Sequence, residues 1–490
     1  MARNEHDERS FVRLGWMWLI VVAWFASAAP SLAQDGEDET KPPSKFLEIS
    51  GKYGTAESRQ FKAAWRGSSQ LDTAKFKEFL QQRYLPALTQ EAARAGLPGF
   101  RDELNDDFLQ KEPGNPESLE FGNQVVFEFM YGVARGARQA RLRDGSIVYV
   151  FWLGRRLVTL DHQDVTSEVQ ALWHPPKDFH PAVRYNAMLI VGNLDSKVAK
   201  FGRTSDRQMI VREPPDPYAA ALIPLLDVAI GKPYQPTIEK FLPTESQPAP
   251  DPVRIAALLG LRRHVSVDRE RNEPEKELIL QEMLDLAQKK PDGNFPEAAT
   301  WYRRLALEVV GGLQYGGSSG EAVARLAAIV ADPEIPVAVR CAAAEAIGRI
   351  PRQSSATSAK PLDVAANMVR LAAEVCAEEL AQSDYPAQPM ATRQLMMSIE
   401  QILIGLRGEY VPPPEPDDDD RREADADPEP TGGLVLWVAG NEKDELLDLQ
   451  QRVELAIKIA MQIEQTSGSD RSLRLLETFI QKVQSEMPRE

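Results

Sequence analysis

Apolar and small residues recur in one fixed arrangement along this chain. Counted from Arg184, Ala187 follows at +3, Val191 at +7, Gly192 at +8 and Leu194 at +10. Counted from Arg303, Ala306, Val310, Gly311 and Leu313 fall at the same offsets. Counted from Arg340, Ala343, Ile347, Gly348 and Ile350 do so again. Offsets of 3, 7 and 10 place side chains on one face of a 3.6-residue helix. The small residues at +3 and +8 let a neighbouring helix come close. A looser copy starts at Arg254, with Ala257 at +3 and Leu261 at +7. It departs at +8, where Arg262 replaces Gly, and at +10, where His264 replaces an aliphatic residue. The pattern predicts helices such as His180–Leu194 that stack on one another.

Between these anchors the periodicity predicts further helices. Asp72 has the character of an N-cap for a helix carrying Phe76, Phe79, Leu80 and Leu88, which Pro86 should kink or end. Phe121–Ala140 is apolar enough for another helix, and Val165–Trp173 for a short one. Ile147–Leu153 is ambiguous. It is β-branched and aromatic and follows Asp144–Gly145, which favours a strand, but in so helical a chain it is assigned to a helix. Ala219–Ile230 pairs with Val253–His264, Glu275–Gln288 with Trp301–Leu313, and Glu321–Val330 with Val337–Ile350. Val369–Leu380 and Arg393–Leu406 continue the series. The fold class is therefore all-α.

The anchors at 184, 254, 303 and 340 are 70, 49 and 37 residues apart, and Pro181, Pro252 and Pro336 stand shortly before three of them, where proline starts a helix. The stretches VRYNAMLIVGNL, VRIAALLGL and VRCAAAEAIGRI resemble the second helices of HEAT repeats, which commonly begin with Pro, then Val-Arg, then an Ala-rich face. The resemblance covers about 164–406 and implies a HEAT-like α-solenoid of irregular helix pairs. Pro-rich insertions at 212–217 and 231–252 break the regularity. The organisation expected is a signal peptide at 1–33, a flexible lead-in at 34–60 and a helical N-terminal region at 61–163. A HEAT-like solenoid at 164–410, an acidic Pro-rich linker at 411–432 and a C-terminal helical hairpin at 433–490 complete it. In that hairpin Leu446, Leu449, Val453, Ile457, Ala460 and Ile463 stripe one helix. Leu473, Leu476, Ile480, Val483 and Met487 stripe the other.

Composition narrows the function. The chain has 490 residues and a formal net charge of −16, which argues against nucleic-acid binding and against docking on anionic lipid. Arg3, Arg9 and Arg13 precede the apolar run Leu14–Ala29, and Ser31 and Ala33 fit cleavage before Gln34. The chain is therefore expected to be exported, periplasmic or extracellular, with a membrane tether only if that run stays uncleaved. Residues 411–430 hold nine acidic residues against Arg421 and Arg422 and cannot form a core. Two cysteines, Cys341 and Cys376, allow one bridge at most, which spacing leaves open.

Candidate chemistry is sparse. His162, His174 and His180, with Asp161, Asp164 and Asp178, are the one group of ligand-type residues, but no two of these histidines are four apart on a helix. Gly316–Gly320 lacks the Lys-Ser/Thr of a phosphate loop. The recurring Arg184, Arg254, Arg303 and Arg340 suit a structural ladder that reaches an acidic or carbonyl group of the preceding repeat, with Asp178, Asp251 and Asp332 upstream of three of them. Trp301 and Tyr302 suit packing between repeats. No cofactor is expected. The leading expectation is a non-enzymatic scaffold that binds a protein partner, because stacked helix pairs present extended surfaces. The alternative is an enzyme or metal-binding domain in 61–180 with the solenoid as an accessory.

Overall fold

The computed structural model describes residues 45–487 apart from 50, 52–53, 67–69, 110–115, 154–155, 162, 173–177, 204–208, 233–248, 268–270, 290–295, 352–358, 382–388, 410–431 and 466–469. The predicted signal peptide and most of the lead-in and acidic linker lie outside those residues. Phe46–Glu490 forms one compact unit. It is mostly helical, and among the described residues no helix is long and apolar enough to cross a membrane.

The N-terminal part begins with α1 (Thr55–Trp65) and α2 (Thr73–Glu78). Asp72 caps α2 as expected, its carboxylate accepting from the Lys75 N–H at 3.1 Å. The chain then widens through a π turn at Phe79–Tyr84 and tightens through a 3₁₀ turn at Leu85–Thr89, where Pro86 ends the helical run. Next come α3 (Leu97–Leu104) and α4 (Pro116–Arg135). Trp65, Phe76, Tyr84 and Phe108 form an aromatic core with ring centroids 5.3–6.3 Å apart. Trp65 packs closely on α4 because Gly122 has no side chain: a Cβ there would stand 2.5 Å from the indole.

Two helix assignments are overturned here. The helix expected over Phe121–Ala140 stops at Arg135, and Gly136 (φ +78°) turns the chain into β1 (Arg138–Leu142). Ile147–Leu153 is strand β2, followed by β3 (Arg156–Thr159) and β4 (Val169–Leu172), in the antiparallel order β3-β2-β1-β4. Val165–Trp173 is accordingly a turn leading into β4, not a helix; Trp173 itself lies outside the described residues. The physical reason is burial on opposite faces at Val150 and Phe151, although Ile147 at the start of the strand is 47% exposed. Phe151 points at Tyr131 of α4, ring centroids 5.9 Å apart, while Val150 joins Ala140, Leu142, Leu157, Val165 and Val169 in a second small core. A strand covered on both sides loses its polar alternation and reads like a buried helix. The deciding signal was the turn: Asp144 accepts from Ser146 N–H at 2.9 Å and Gly145 takes φ +89°.

Nine helices follow among the described residues: α5 (Pro181–Gly192), α6 (Leu222–Ala229), α7 (Asp251–Val267), α8 (Glu273–Gln288), α9 (Pro296–Leu313), α10 (Glu321–Ala331), α11 (Val337–Arg349), α12 (Pro361–Ala381) and α13 (Pro389–Arg407). The helices bearing the anchors pack in sequence: α5 on α7, α7 on α9, α9 on α11 and α11 on α13. Each is joined by its predecessor, α6 on α7, α8 on α9, α10 on α11 and α12 on α13. The 70-residue spacing after Arg184 contains a β-ribbon. In it β5 (Asp195–Lys197) pairs with β8 (Asp216–Pro217), and β6 (Lys200–Arg203) with β7 (Met209–Glu213). Its base is fixed by Asn123, which donates to the Asp195 carbonyl at 2.6 Å, and by the Arg263–Asp195 ion pair.

At the C-terminal end, α14 (Asn441–Gln465) lies on both α12 and α13, and α15 (Asp470–Glu486) lies on α12 and α14. The apolar face predicted for this hairpin is turned onto the preceding helices, though Ile459 is more buried than Ile457. Gly348 marks the tightest helix contact, since a Cβ there would collide with the Ile404 carbonyl of α13. Replacing Gly348 by Ala therefore lowers stability by about 1–3 kcal/mol, the range of overpacked core sites. Replacing Gly99 by Ala, exposed on α3 with open space around it, raises stability by about 0.5–1 kcal/mol. Thermal melts of the two variants check both signs.

Candidate functional site

Every α-helix leaves its last carbonyls without partners. After α4 the N–H of Ala137 bonds to the Gly132 carbonyl at 3.0 Å and that of Gly136 to Val133 at 3.1 Å. After α6 the N–H of Lys232 bonds to Asp227 at 3.0 Å and that of Gly231 to Val228 at 3.1 Å. Both are glycine-terminated C-caps. In each, the next carbonyl along is taken by an arginine of the following helix. Arg184 Nε donates to Ala134 at 3.0 Å and Arg254 Nε to Ala229 at 3.2 Å. The later pairs lack the glycine but keep the arginine. Arg303 Nε donates to Ala287 of α8 at 2.6 Å, and Arg340 Nε to Val330 of α10 at 2.9 Å. All four predicted positions thus place a cation on the negative end of a helix dipole. The left-handed Gly136 and Gly231 make room: a Cβ at either would stand 3.3 Å from a guanidinium carbon.

The outer edges of the four guanidinium groups meet different surroundings. Arg340 Nη1 is 2.5 Å from Glu374. Arg254 Nη1 lies 4.0 Å from Asp251, and its guanidinium sits 4.5 Å above the Tyr302 ring. Asp332, upstream of Arg340 in sequence, acts instead on Arg303, opposing the lowering of its pKa by burial. Burial likewise holds Arg184 below the usual arginine range; Asp178 opposes this, and Arg135 and Arg138 add to it. Tyr302 is buried as expected, but Trp301 is 48% exposed and does not pack between helices.

The small positions serve close approach. Ala187, Ala257, Ala306 and Ala343 are fully buried. Gly192 faces Gly260, with a Cβ on the former only 2.5 Å from the other's Cα, and Gly311 faces Ala346. Arg262 breaks the series, and there Gly312 supplies the gap against Val265 and Ser266 while Arg262 pairs with Glu308. His264 also departs. It is completely buried, neither ring nitrogen has a hydrogen-bond partner among the described residues, and burial with Arg263 and Arg271 nearby pushes its pKa down to about 3.

The described members of the ligand-type group near 161–180 do not converge. His162 and His174 lie outside the described residues. His180 caps α5, Nδ1 accepting from Ala182 N–H at 3.2 Å, and meets Phe46 edge-on at 4.7 Å. Asp161 accepts from the Thr159 hydroxyl, and Asp164 accepts from Thr166 N–H at 3.0 Å; the Thr166 hydroxyl first, and then this N–H, lower the Asp164 pKa. Among the described residues no group of three or more His, Cys, Asp and Glu could hold a metal ion. Cys341 and Cys376 are buried free thiols, each pushed up to about 12 by burial, so neither is a nucleophile near neutral pH. One polar cluster escaped the sequence. Lys77 Nζ lies 3.7 Å from Glu128 and 3.9 Å from Asp161, and Gln124 donates to Glu128 at 2.9 Å. Burial raises the Glu128 pKa. Its charged members come from α2, α4 and the turn after β3, and no local spacing links Lys77, Glu128 and Asp161.

No family model matches the chain, and neither a curated protein nor a solved structure is similar to it.

The arginine caps are testable by mutation. Arg303→Ala leaves a buried carbonyl unpaired and costs about 1–3 kcal/mol, and Arg303→Lys recovers little, because the bond comes from the rigid Nε edge; urea unfolding reads both. His264 has a pH signature. Its folded pKa is below the ordinary 6.5, so the unfolded chain binds the proton first. Stability therefore falls as pH drops from 6.5 towards 3, by up to about 1.4 kcal/mol per unit from this group alone. His264→Leu restores the aliphatic residue found at +10 elsewhere, raises stability at pH 5 and removes that share of the slope. Paired urea titrations at pH 7 and pH 5 measure it.

Proposed function

We propose that this chain is an exported, non-enzymatic scaffold that binds a protein partner on a HEAT-like α-solenoid. The observation that carries the proposal is the fourfold arginine cap. One residue type, at one position of successive helices, closes the same carbonyl position of the preceding helix. Such repetition favours a repeated building unit over an irregular bundle, and stacked units expose long surfaces suited to holding a macromolecule. Residues 164–410 form the array in this reading, and 433–490 cover its last pair, consistent with the apolar hairpin lying on α12 and α13. Trp301 and Met397, about half exposed on α9 and α13, are anchors of the type that carries binding energy at interfaces.

The test is crosslinking in intact cells, purification of the tagged chain and mass spectrometry of what accompanies it. We expect a reproducible partner crosslinked through residues 164–406, on a mature chain that begins at Gln34. A chain that retains no protein under these conditions would sink the scaffold reading.

A further inference from the structure

The β-ribbon between α5 and α6 is fixed at its base and open beyond it. At the base β5 pairs with β8, and Asp195 is held by Asn123 and Arg263. Further out, β6 and β7 form a two-stranded sheet among the described residues. Phe201 stands directly opposite Val211, and the two are 61% and 54% exposed. Two strands with an open apolar pair are marginal in water and gain stability from a third strand or a cover. The two edges of the ribbon are unlike. Lys200 stands opposite Glu213 and Phe201 opposite Val211, so β7 holds one extra residue, Arg212, as a bulge. A bulge bends its strand and blunts that edge against pairing. β6 has no such interruption, and no strand lies along its outer edge among the described residues. Charge sets the ribbon apart from the rest of the chain. Residues 196–217 hold Lys197, Lys200, Arg203, Arg207 and Arg212 against Asp206, Glu213 and Asp216, a net of +2 in a chain of −16. Glu213 lies 2.9 Å from Lys200 and Asp216 4.0 Å from Lys197, so the excess falls to the arginines. Of these, Arg203 belongs to β6 itself, at the register position opposite Met209.

From this we infer that the outer edge of β6 takes an extended strand of the protein partner, with an apolar residue beside Phe201 and an acidic residue beside Arg203. The inference rests on the scaffold reading above and names the chemistry of its partner. Strand addition draws affinity from backbone hydrogen bonds and specificity from alternate side chains. Residues two apart on a strand share a face, so Phe201 and Arg203 ask for apolar and acidic residues two apart in the partner. A second copy of this chain does not fit. Antiparallel pairing of two β6 edges about their centre sets Lys200 opposite Arg203, and like charges directly opposite destabilise a sheet. An anionic lipid surface matches the ribbon's charge but meets the repulsion of an acidic chain.

The probe is the fluorescent, end-blocked peptide Thr-Glu-Thr-Val-Thr-Glu-Thr, which offers the spacing in either direction, titrated against the full chain and read by anisotropy. We expect it to bind, more weakly as salt rises, and more tightly than the same peptide with Gln for Glu. A version N-methylated at every residue, which has no backbone N–H to give, is expected not to bind. Phe201→Ala weakens binding about tenfold, the loss of one aromatic anchor. Arg203→Glu, which leaves the apolar pair intact, removes the preference for Glu over Gln. Ile147→Ala, an exposed apolar position on β2, leaves binding unchanged. Thermal melts that match the wild type show that each variant is folded. Absence of peptide binding, binding of the N-methylated peptide, or equal effects of Phe201→Ala and Ile147→Ala overturns the assignment. Phosphatidylglycerol vesicles bound through Phe201, without peptide binding, overturn it in favour of a lipid surface. A dimer in analytical ultracentrifugation that Phe201→Ala abolishes overturns it in favour of a second copy. A cellular partner still crosslinked to a chain carrying both Phe201→Ala and Arg203→Glu removes this site and leaves the scaffold standing. A wild-type chain without any partner removes the scaffold and this inference with it.

Discussion

The closing of a helix end by an arginine from the next helix is the interaction on which this molecule depends. A buried C-terminal carbonyl without a donor costs on the order of 1–3 kcal/mol, and a stack of helices creates such ends at every pair. Water cannot supply the donor where the next helix covers the end. A long side chain with a rigid N–H edge can, and its charge also suits the helix dipole. The first two ends share this work with a left-handed glycine, Gly136 or Gly231. The ends of α8 and α10, followed by Lys289 and Asp332, lack that glycine and take the arginine at the carbonyls of Ala287 and Val330.

Close approach of backbones is the second constraint, and it follows from the first. Arg184 reaches Ala134 only if α5 lies tightly on its neighbours, which the Gly192–Gly260 contact with α7 permits. The α7–α9 contact shows how the scheme tolerates an exception. Arg262 occupies the position of the small residue, Gly312 opens the gap elsewhere, and Arg262 pairs with Glu308 beside it. The same helix carries His264 without a hydrogen-bond partner among the described residues, so one helix of the stack holds two departures from the pattern, one compensated and one not.

The N-terminal part obeys different rules. Its sheet is covered by α4 on one side and by its own turn on the other, so that Phe151 and Val150, adjacent in sequence, enter separate cores. Asp195 ties this part to the stack, since Asn123 of α4 holds its carbonyl and Arg263 of α7 its carboxylate. Burial raises the Asp195 pKa and Arg263 opposes the rise, which leaves the ion pair as the reason a charge can sit there at all.

By itself the sequence determined the helix pairs from His180 onward, the arginine positions and the small residues between them, because these depend on a 3.6-residue period that any single helix displays. It also determined the cap at Asp72 and the stop at Pro86. Only the tertiary structure decided that Ile147–Leu153 is a strand, because an apolar run buried on both sides carries no period of its own. Only the tertiary structure decided which carboxylate serves which arginine: Asp332 precedes Arg340 by eight residues yet acts on Arg303, and Glu374 reaches Arg340 from a later helix. The cluster of Lys77, Glu128 and Asp161 was hidden for the same reason. Charges meet through space, and where the chain brings them together depends on how whole helices pack.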